Sequence, residues 1–166
     1  HKEREVVTRL VGEGADVIAQ DQDSHTPQEA AQELGVYSVG YNTDMAPFAP
    51  AAHLVAPSWN WSVFYEDVLA KIRDRTRKSG SFWPGMESGI VDLSPFGPMV
   101  PESVRQKTLK RKAEIMAGTY IVFKGSVYDR SGALRIKDGQ IPSDDMLLGM
   151  DWFIRGVEAE SASGPR

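Results

Sequence analysis

Cysteine is absent from the 166 residues, which excludes disulfides and any metal centre built on thiolates. Long apolar runs are absent too: none approaches the roughly 20 residues that a bilayer-spanning helix needs. Charge of one sign is nowhere concentrated. The net charge is −4, and the most basic stretch, Arg105 to Lys112, is one face of a helical pattern that also contains Leu109. No groove for nucleic acid is therefore expected. The signatures of common catalysts are missing as well: no glycine-rich phosphate loop, no Ser-His-Asp order, no HExxH. Neither internal repeats nor low-complexity segments occur. The first residues do not read as a signal peptide. The chain opens at His1, without methionine and already inside a helical pattern, so it is expected to be a piece of a longer polypeptide.

What remains is an ordinary globular composition, 41% apolar and 25% charged, enough for one domain with a sizeable core. The stretch that organises it runs from Asp16 to Asp44, DVIAQDQDS-HTPQEAAQELG-VYSVGYNTD. Asp16 to Ala19 predicts a strand. Thr26-Pro27 predicts a helix start, with Glu29 placed as in a capping box. Ala30, Ala31 and Leu34 form its buried face, and Gly35 its stop. Val36 to Val39 predicts a second strand. Both strands end in polar residues, which defines a β-α-β unit with chemistry at its carboxyl edge, where open parallel sheets bind ligands.

Around this unit the periodicity predicts a helix from Lys2 to Glu13, with Val6, Val7, Leu10 and Val11 on one stripe. It predicts a third strand at His53 to Ala56. A helix from Ser62 to Arg77 should turn Val63, Phe64, Val68, Leu69 and Ile72 inward. Phe82 to Phe96 reads as two strands of a hairpin. A helix from Glu102 to Gly118 should bury Val104, Leu109, Ala113 and Met116. Tyr120 to Tyr128 and Leu134 to Ile136 read as strands, and Ser143 opens a last helix, Met146 to Val157. Residues 159–166 are small and polar, a composition expected to be disordered. The order of elements points to an α/β fold, with a mainly parallel sheet and a late antiparallel elaboration.

Three polar clusters follow strand ends. Asp21, Asp23 and His25 alternate after the first strand. These residue types can ligate a metal; Asp23 or Ser24 can instead cap the following helix, or the group can bond to an organic ligand. Asn42, Thr43 and Asp44 follow the second strand, as a polar turn or as ligand contacts. Ser58-Trp59-Asn60-Trp61 lies between the third strand and a helix. Asn60 offers a donor and an acceptor, and the face of Trp59 or Trp61 can stack on a flat ring. Phe82-Trp83 and Trp152-Phe153 read more simply as core. Polar groups thus gather at a sheet edge without a nucleophile and base, which favours binding over catalysis.

GADVIAQDQDS, GVYSVGYNTDM, Asn60-Trp61 with Tyr65 in the next helix, GIVDLSPF and DGQIPSDDMLLGMDWFIRGV together resemble the BMP (basic membrane protein) family. Its members are substrate-binding lipoproteins of bacterial ABC importers, several of them purine-nucleoside binders. The resemblance covers nearly the whole chain. It implies a type I periplasmic-binding-protein lobe, with residues 1–158 forming the carboxyl-terminal part of a two-lobed protein. The partners it implies are a purine or similar heterocycle, the ABC permease subunits and an N-terminal lobe. It also implies an extracytoplasmic location and a lipid anchor on a cysteine upstream of His1. No cofactor, metal or catalytic residue is implied. In nucleoside-binding relatives an aspartate and a lysine hold the ribose. Asn42 stands at the first position, with Asp44 matching a second acidic one, and no lysine occurs in Ser58–Asn60. These departures shift the expectation from nucleoside to free base, such as adenine. The residues expected to meet it are Asp23, Ser24, Asn42, Asp44, Trp59, Asn60 and Trp61. Two other readings stay open: the ligand-sensing domain of a regulator, and a small metal-dependent enzyme using Asp21, Asp23 and His25.

Overall fold

The computed structural model describes residues 2–158; the tail expected to be disordered lies outside them. The chain divides into two compact units, His1–Ala117 and Gly118–Arg166. In the first, α1 (Lys2–Gly12), β1 (Val17–Ala19), α2 (Thr26–Glu33), β2 (Tyr37–Val39) and β3 (His53–Val55) build a parallel sheet in the order β1-β2-β3. Val7 from α1, Ile18 from β1 and Ala30 and Ala31 from α2 form a buried cluster, with Val11, Ala15 and Val36 packed against it. The alanines let α2 lie close to α1 and the sheet. Gly35, at φ +74°, stops α2 in a left-handed conformation that is cheap for glycine.

The β-α-β unit therefore forms as the sequence predicts, but Leu34, expected on the buried face of its helix, is exposed, and the helix starts differently. Thr26 is the first helical residue, and His25 precedes it without a side-chain cap bond. The Thr26 amide donates to Ser24 Oγ at 3.1 Å, so Ser24 takes the role assigned to Thr26. Glu29 closes no capping box; its carboxylate lies 3.1 Å from His25 Nδ1.

β4 (Pro57–Trp59) leads into α3 (Trp61–Arg73). The hairpin expected in Phe82 to Phe96 does not form. A 3-10 turn, Met86–Ser88, precedes β5 (Val91–Leu93), and β5 pairs antiparallel with β4, Trp59 opposite Val91. The apolar pattern marked a strand but could not name its partner. The inner faces also differ. In α3 no residue is fully buried, and Leu69 and Ile72 are exposed. In α4 (Glu102–Met116) Val104, Leu109 and Met116 are exposed. The half-buried stripe is Arg105, Thr108, Lys112 and Ile115. Its polar members find partners: the Arg105 guanidinium donates to the carbonyls of Val100 and Gly97 at 3.0 and 2.9 Å, and Lys112 Nζ pairs with Asp92. Phe82, Trp83 and Phe153 are exposed rather than core.

In the second unit β6 (Val127–Tyr128) and β7 (Leu134–Ile136) pair antiparallel, and α5 (Asp144–Leu148) comes after them. Ser143 caps α5, accepting from the Met146 amide at 3.3 Å. The strand expected from Tyr120 shrinks to two residues, and the last helix ends at Leu148 instead of Val157. Gly149 ends it, and the bridge between Asp129 and Ile154 holds residues 150–157 in a non-helical path. Asp129 organises the turn between the strands. It accepts from the Ser131 hydroxyl and amide and from the Ala133 amide, and pairs with Arg135 Nε at 2.6 Å. Arg135 in turn lies over the half-buried ring of Trp152.

Candidate functional site

Parallel strands deliver their following loops to one edge, so the ends of β1 and β2 meet there. The loop after β1 carries Asp21, Asp23, Ser24 and His25. The loop after β2 carries Tyr41, Asn42 and Asp44. β4 reaches the same edge, because Asn42 and Ser58 form a parallel bridge. Asn42 is the joint. Its backbone sits at φ +68°, a left-handed conformation that asparagine tolerates better than most residues. Its Nδ2 donates to Asp23 Oδ1. Its Oδ1 accepts from the indole Nε1 of Trp59 at 2.7 Å. Trp59 then stacks on Trp61, with ring centroids 5.9 Å apart and 30° between planes. Four of the seven predicted residues thus form one connected path, Asp23–Asn42–Trp59–Trp61.

A second rung joins the same two loops. The Asp21 carboxylate, hydrogen-bonded to Tyr41, raises the phenol of Tyr41 above its ordinary range. His25 turns away: its ring stacks on Phe48, 4.1 Å between centroids and nearly parallel. Asp21, Asp23 and His25 therefore face three different partners. Among the described residues, no three acidic or histidine side chains gather as metal ligands.

The other predicted residues take separate positions. Ser24 holds the start of α2. Asp44 Oδ1 accepts from the Ala46 amide at 3.0 Å and lies 3.6 Å from the buried Nε2 of His53. The Asn60 amide donates to Ile90 O at 2.7 Å. Asn60 precedes α3 without a side-chain cap bond. Beside the path opens a cavity of about 380 Å³ lined by Trp59, Trp61, Phe64, Phe82, Trp83 and Ile90. Its size falls in the range of small-molecule sites, roughly 300–1,000 Å³, and its walls are mostly aromatic, completed by Pro84 and Ile90. The polar loops beside it hold three carboxylates and no lysine or arginine. Such a surface accepts hydrogen bonds and repels anions.

The profile of the Bmp family, described as ABC transporter substrate-binding protein PnrA-like, matches residues 1–125. The chain belongs to the Bmp family. It is 34% identical over 161 residues to a putative ABC transporter glucose-binding protein of Haloferax volcanii, covering 96% of this chain and 38% of that one. It is 32% identical over 157 residues to a purine-binding protein of Brucella abortus, covering 95% and 45%. The Bmp chain thus spans less than half the length of these relatives. It is also 25% identical over 104 residues to the transcriptional activator protein Med of Bacillus subtilis, covering 61% of this chain and 33% of that one. Among solved structures, a transcriptional activator of the comK gene from Bacillus halodurans superposes with a TM-score of 0.65 at 22% identity, covering 70% of this chain and 42% of that one. An ABC transporter solute-binding protein from Conexibacter woesei does so at 0.58 and 19%, covering 72% and 41%. The Bmp chain has the fold of a type I periplasmic-binding-protein lobe.

Three neighbours of the site escaped the sequence reading. Phe82 and Trp83, assigned to the core, line the cavity. His53, placed only as the start of a strand, lies beneath Asp44. The signal for His53 was its isolation: one titratable residue in the run AAHLVA.

Proposed function

We propose that this chain is one lobe of the substrate-binding component of an ABC importer, and that it supplies one wall of a cleft for a purine base or similar flat heterocycle. The observation that carries the proposal is the path Asp23–Asn42–Trp59–Trp61 beside the aromatic cavity. A flat ring stacks on such walls with a gain beyond its buried area. Its N–H groups meet carboxylates that have spare lone pairs. Asn42 spends both ends of its amide on Asp23 and Trp59, so it orients the two rather than gripping ligand itself. The absence of lysine and arginine from these loops argues against a phosphorylated ligand. A second lobe closing over the cleft would exclude water, as in hinge-bending binding proteins, and the loaded protein would then dock on a permease. In this reading the protein acts outside the cytoplasmic membrane, held there by a lipid on an upstream cysteine, and does no covalent chemistry.

The test is calorimetry on the two-lobed protein with adenine, hypoxanthine, guanosine, ribose and glucose. Binding of adenine or hypoxanthine without ribose supports the proposal. Binding of glucose alone, or of none of the five, overturns the purine assignment. The likeness to Med and to the comK activator favours a second reading, a ligand-sensing domain. A DNA-binding segment upstream in the full gene product would establish it.

A further inference from the structure

Among the described residues, two buried side-chain polar atoms have no partner: Ser38 Oγ and His53 Nδ1. Buried polar atoms are nearly always paired, so each such orphan calls for an explanation. These two are neighbours. Ser38 on β2 is the register partner of His53 on β3, and register partners in a parallel pair face the same side of the sheet. One is a hydroxyl, able to donate; the other is an imidazole nitrogen, able to accept if it carries no proton.

The other side of the ring decides the proton. His53 Nε2 lies 3.3 Å from Ser94 Oγ. Ser94 has a single hydrogen, and two acceptors lie in its reach: Pro95 O at 3.2 Å and the His53 ring nitrogen itself. Its oxygen already accepts from the Ala56 amide at 2.8 Å. The Asp44 carboxylate beside Nε2 favours a proton on that nitrogen, which sends the Ser94 hydrogen to Pro95 O and makes Ser94 an acceptor towards His53. Nδ1 is left bare, an acceptor that one shared water would connect to the Ser38 hydroxyl. The same Nε2–H lies 3.6 Å from Asp44 Oδ1, the oxygen that also accepts from Ala46. Both contacts fall on Oδ1, and neither uses Oδ2.

We propose that His53 is a positioning residue for the ligand site: fixed as the neutral Nε2–H tautomer by Ser38 and Ser94, it orients Asp44 from below so that Oδ2 can accept from a bound N–H donor. The assignment of Asp44 to the ligand rests on the proposed function; the tautomer does not. Side-chain exposure of His53 is 0%, so no solvent competes for either nitrogen.

The test has two arms. In the first, the chain is labelled with 15N-histidine, and His53→Gln identifies the resonance of His53 among the three histidines. The expected spectrum shows Nε2 protonated and Nδ1 bare, with Nδ1 shifted by Ser38→Ala and Nε2–H shifted by Asp44→Asn. A protonated Nδ1, or a ring indifferent to both substitutions, overturns the proposal. The second arm measures adenine affinity of the two-lobed protein. His53→Leu should weaken it by about five-fold or more, the loss of one hydrogen-bonding partner of a charged group. His53→Gln, which can present an amide N–H in the same place, should stay within about two-fold. Equal weakening by both variants means a packing role and overturns it. If the wild-type protein binds no purine, the ligand reading fails, and the first arm still decides the tautomer and the contact with Asp44.

Discussion

Trp59 and Asn42 are bonded twice: indole to side-chain oxygen at 2.7 Å, and backbone amide to carbonyl at 3.1 Å. The backbone bond fixes where the tryptophan begins, and the side-chain bond fixes which way its ring faces. Trp59→Phe separates these effects, because phenylalanine keeps an apolar ring and loses the donor. A neutral hydrogen bond contributes about 0.5–1.5 kcal/mol net, so under the proposed function purine affinity is expected to fall by roughly three- to ten-fold with the fold intact. Calorimetry beside a thermal melt checks it. An unchanged affinity would mean that the cavity does not need the ring held.

Asn42→Asp tests the other end of the same residue. The new carboxylate keeps an acceptor for Trp59 but faces Asp23 without a donor. Like charges in contact raise the proton affinity of one of them. Under the proposed function, purine binding is expected to weaken above about pH 5, where both carboxylates would be ionised, and to recover partly in acid. Binding measured across pH checks this; a flat profile would place Asp23 away from Asn42 in solution.

The parallel β-α-β unit was legible because its signals are local: Pro27 at the start of α2, alanines on its inner face, Gly35 at its end. Pairing was not legible. β5 spans three residues, Val-Asp-Leu, and so short a run says nothing of which strand it joins. The inner face of α4 misled for a different reason. Its half-buried stripe contains Arg105 and Lys112, whose cost of burial is offset by the carbonyls of Gly97 and Val100 and by Asp92, partners that only the folded chain brings near. At the proposed site, the sequence marked the polar loops that the strand ends bring to one edge. The division of labour between Asn42, which orients, and Asp23 and Asp44, which keep free lone pairs, required the hydrogen bonds.

Gly97 shows how tightly β3 is backed. Its amide donates to Leu54 O at 2.8 Å, and a Cβ there would lie 2.0 Å from His53 O. Backbone cannot yield as a side chain can. Gly97→Ala is expected to destabilise the first unit by about 1–3 kcal/mol, the usual range for overpacking. Gly12→Ala, whose Cβ would meet nothing within 4 Å, should stay neutral or gain slightly. Urea titrations of both variants check the contrast.

Burial lowers the proton affinity of His53 below its ordinary value, against a smaller opposing pull from the Asp44 carboxylate, the charged group that faces it. The unfolded chain therefore binds a proton at a higher pH than the folded one. Stability is expected to hold above about pH 6.5 and to fall as the pH drops below it. His53→Gln should remove that part of the pH dependence, which denaturant titrations at several pH values would measure.

Asp129 carries the opposite sign in the second unit. The Ser131 hydroxyl, then the Arg135 guanidinium and the Ala133 amide, hold its carboxyl far below the usual carboxylate range. A depressed carboxyl contributes stability that is complete above its unfolded pKa of about 3.9 and is lost as the pH falls below it. Asp129→Asn keeps the shape but loses the charge and one acceptor. Hydrogen exchange is expected to speed up at the Asp129 amide, which donates to Ala133 O, and at the Arg155 amide, which donates to Tyr128 O. The amides of β1 and β2 should stay protected, since the two units are compact in themselves. Acceleration in both units together would mean that they open as one, and Asp129 would then be a global rather than a local anchor.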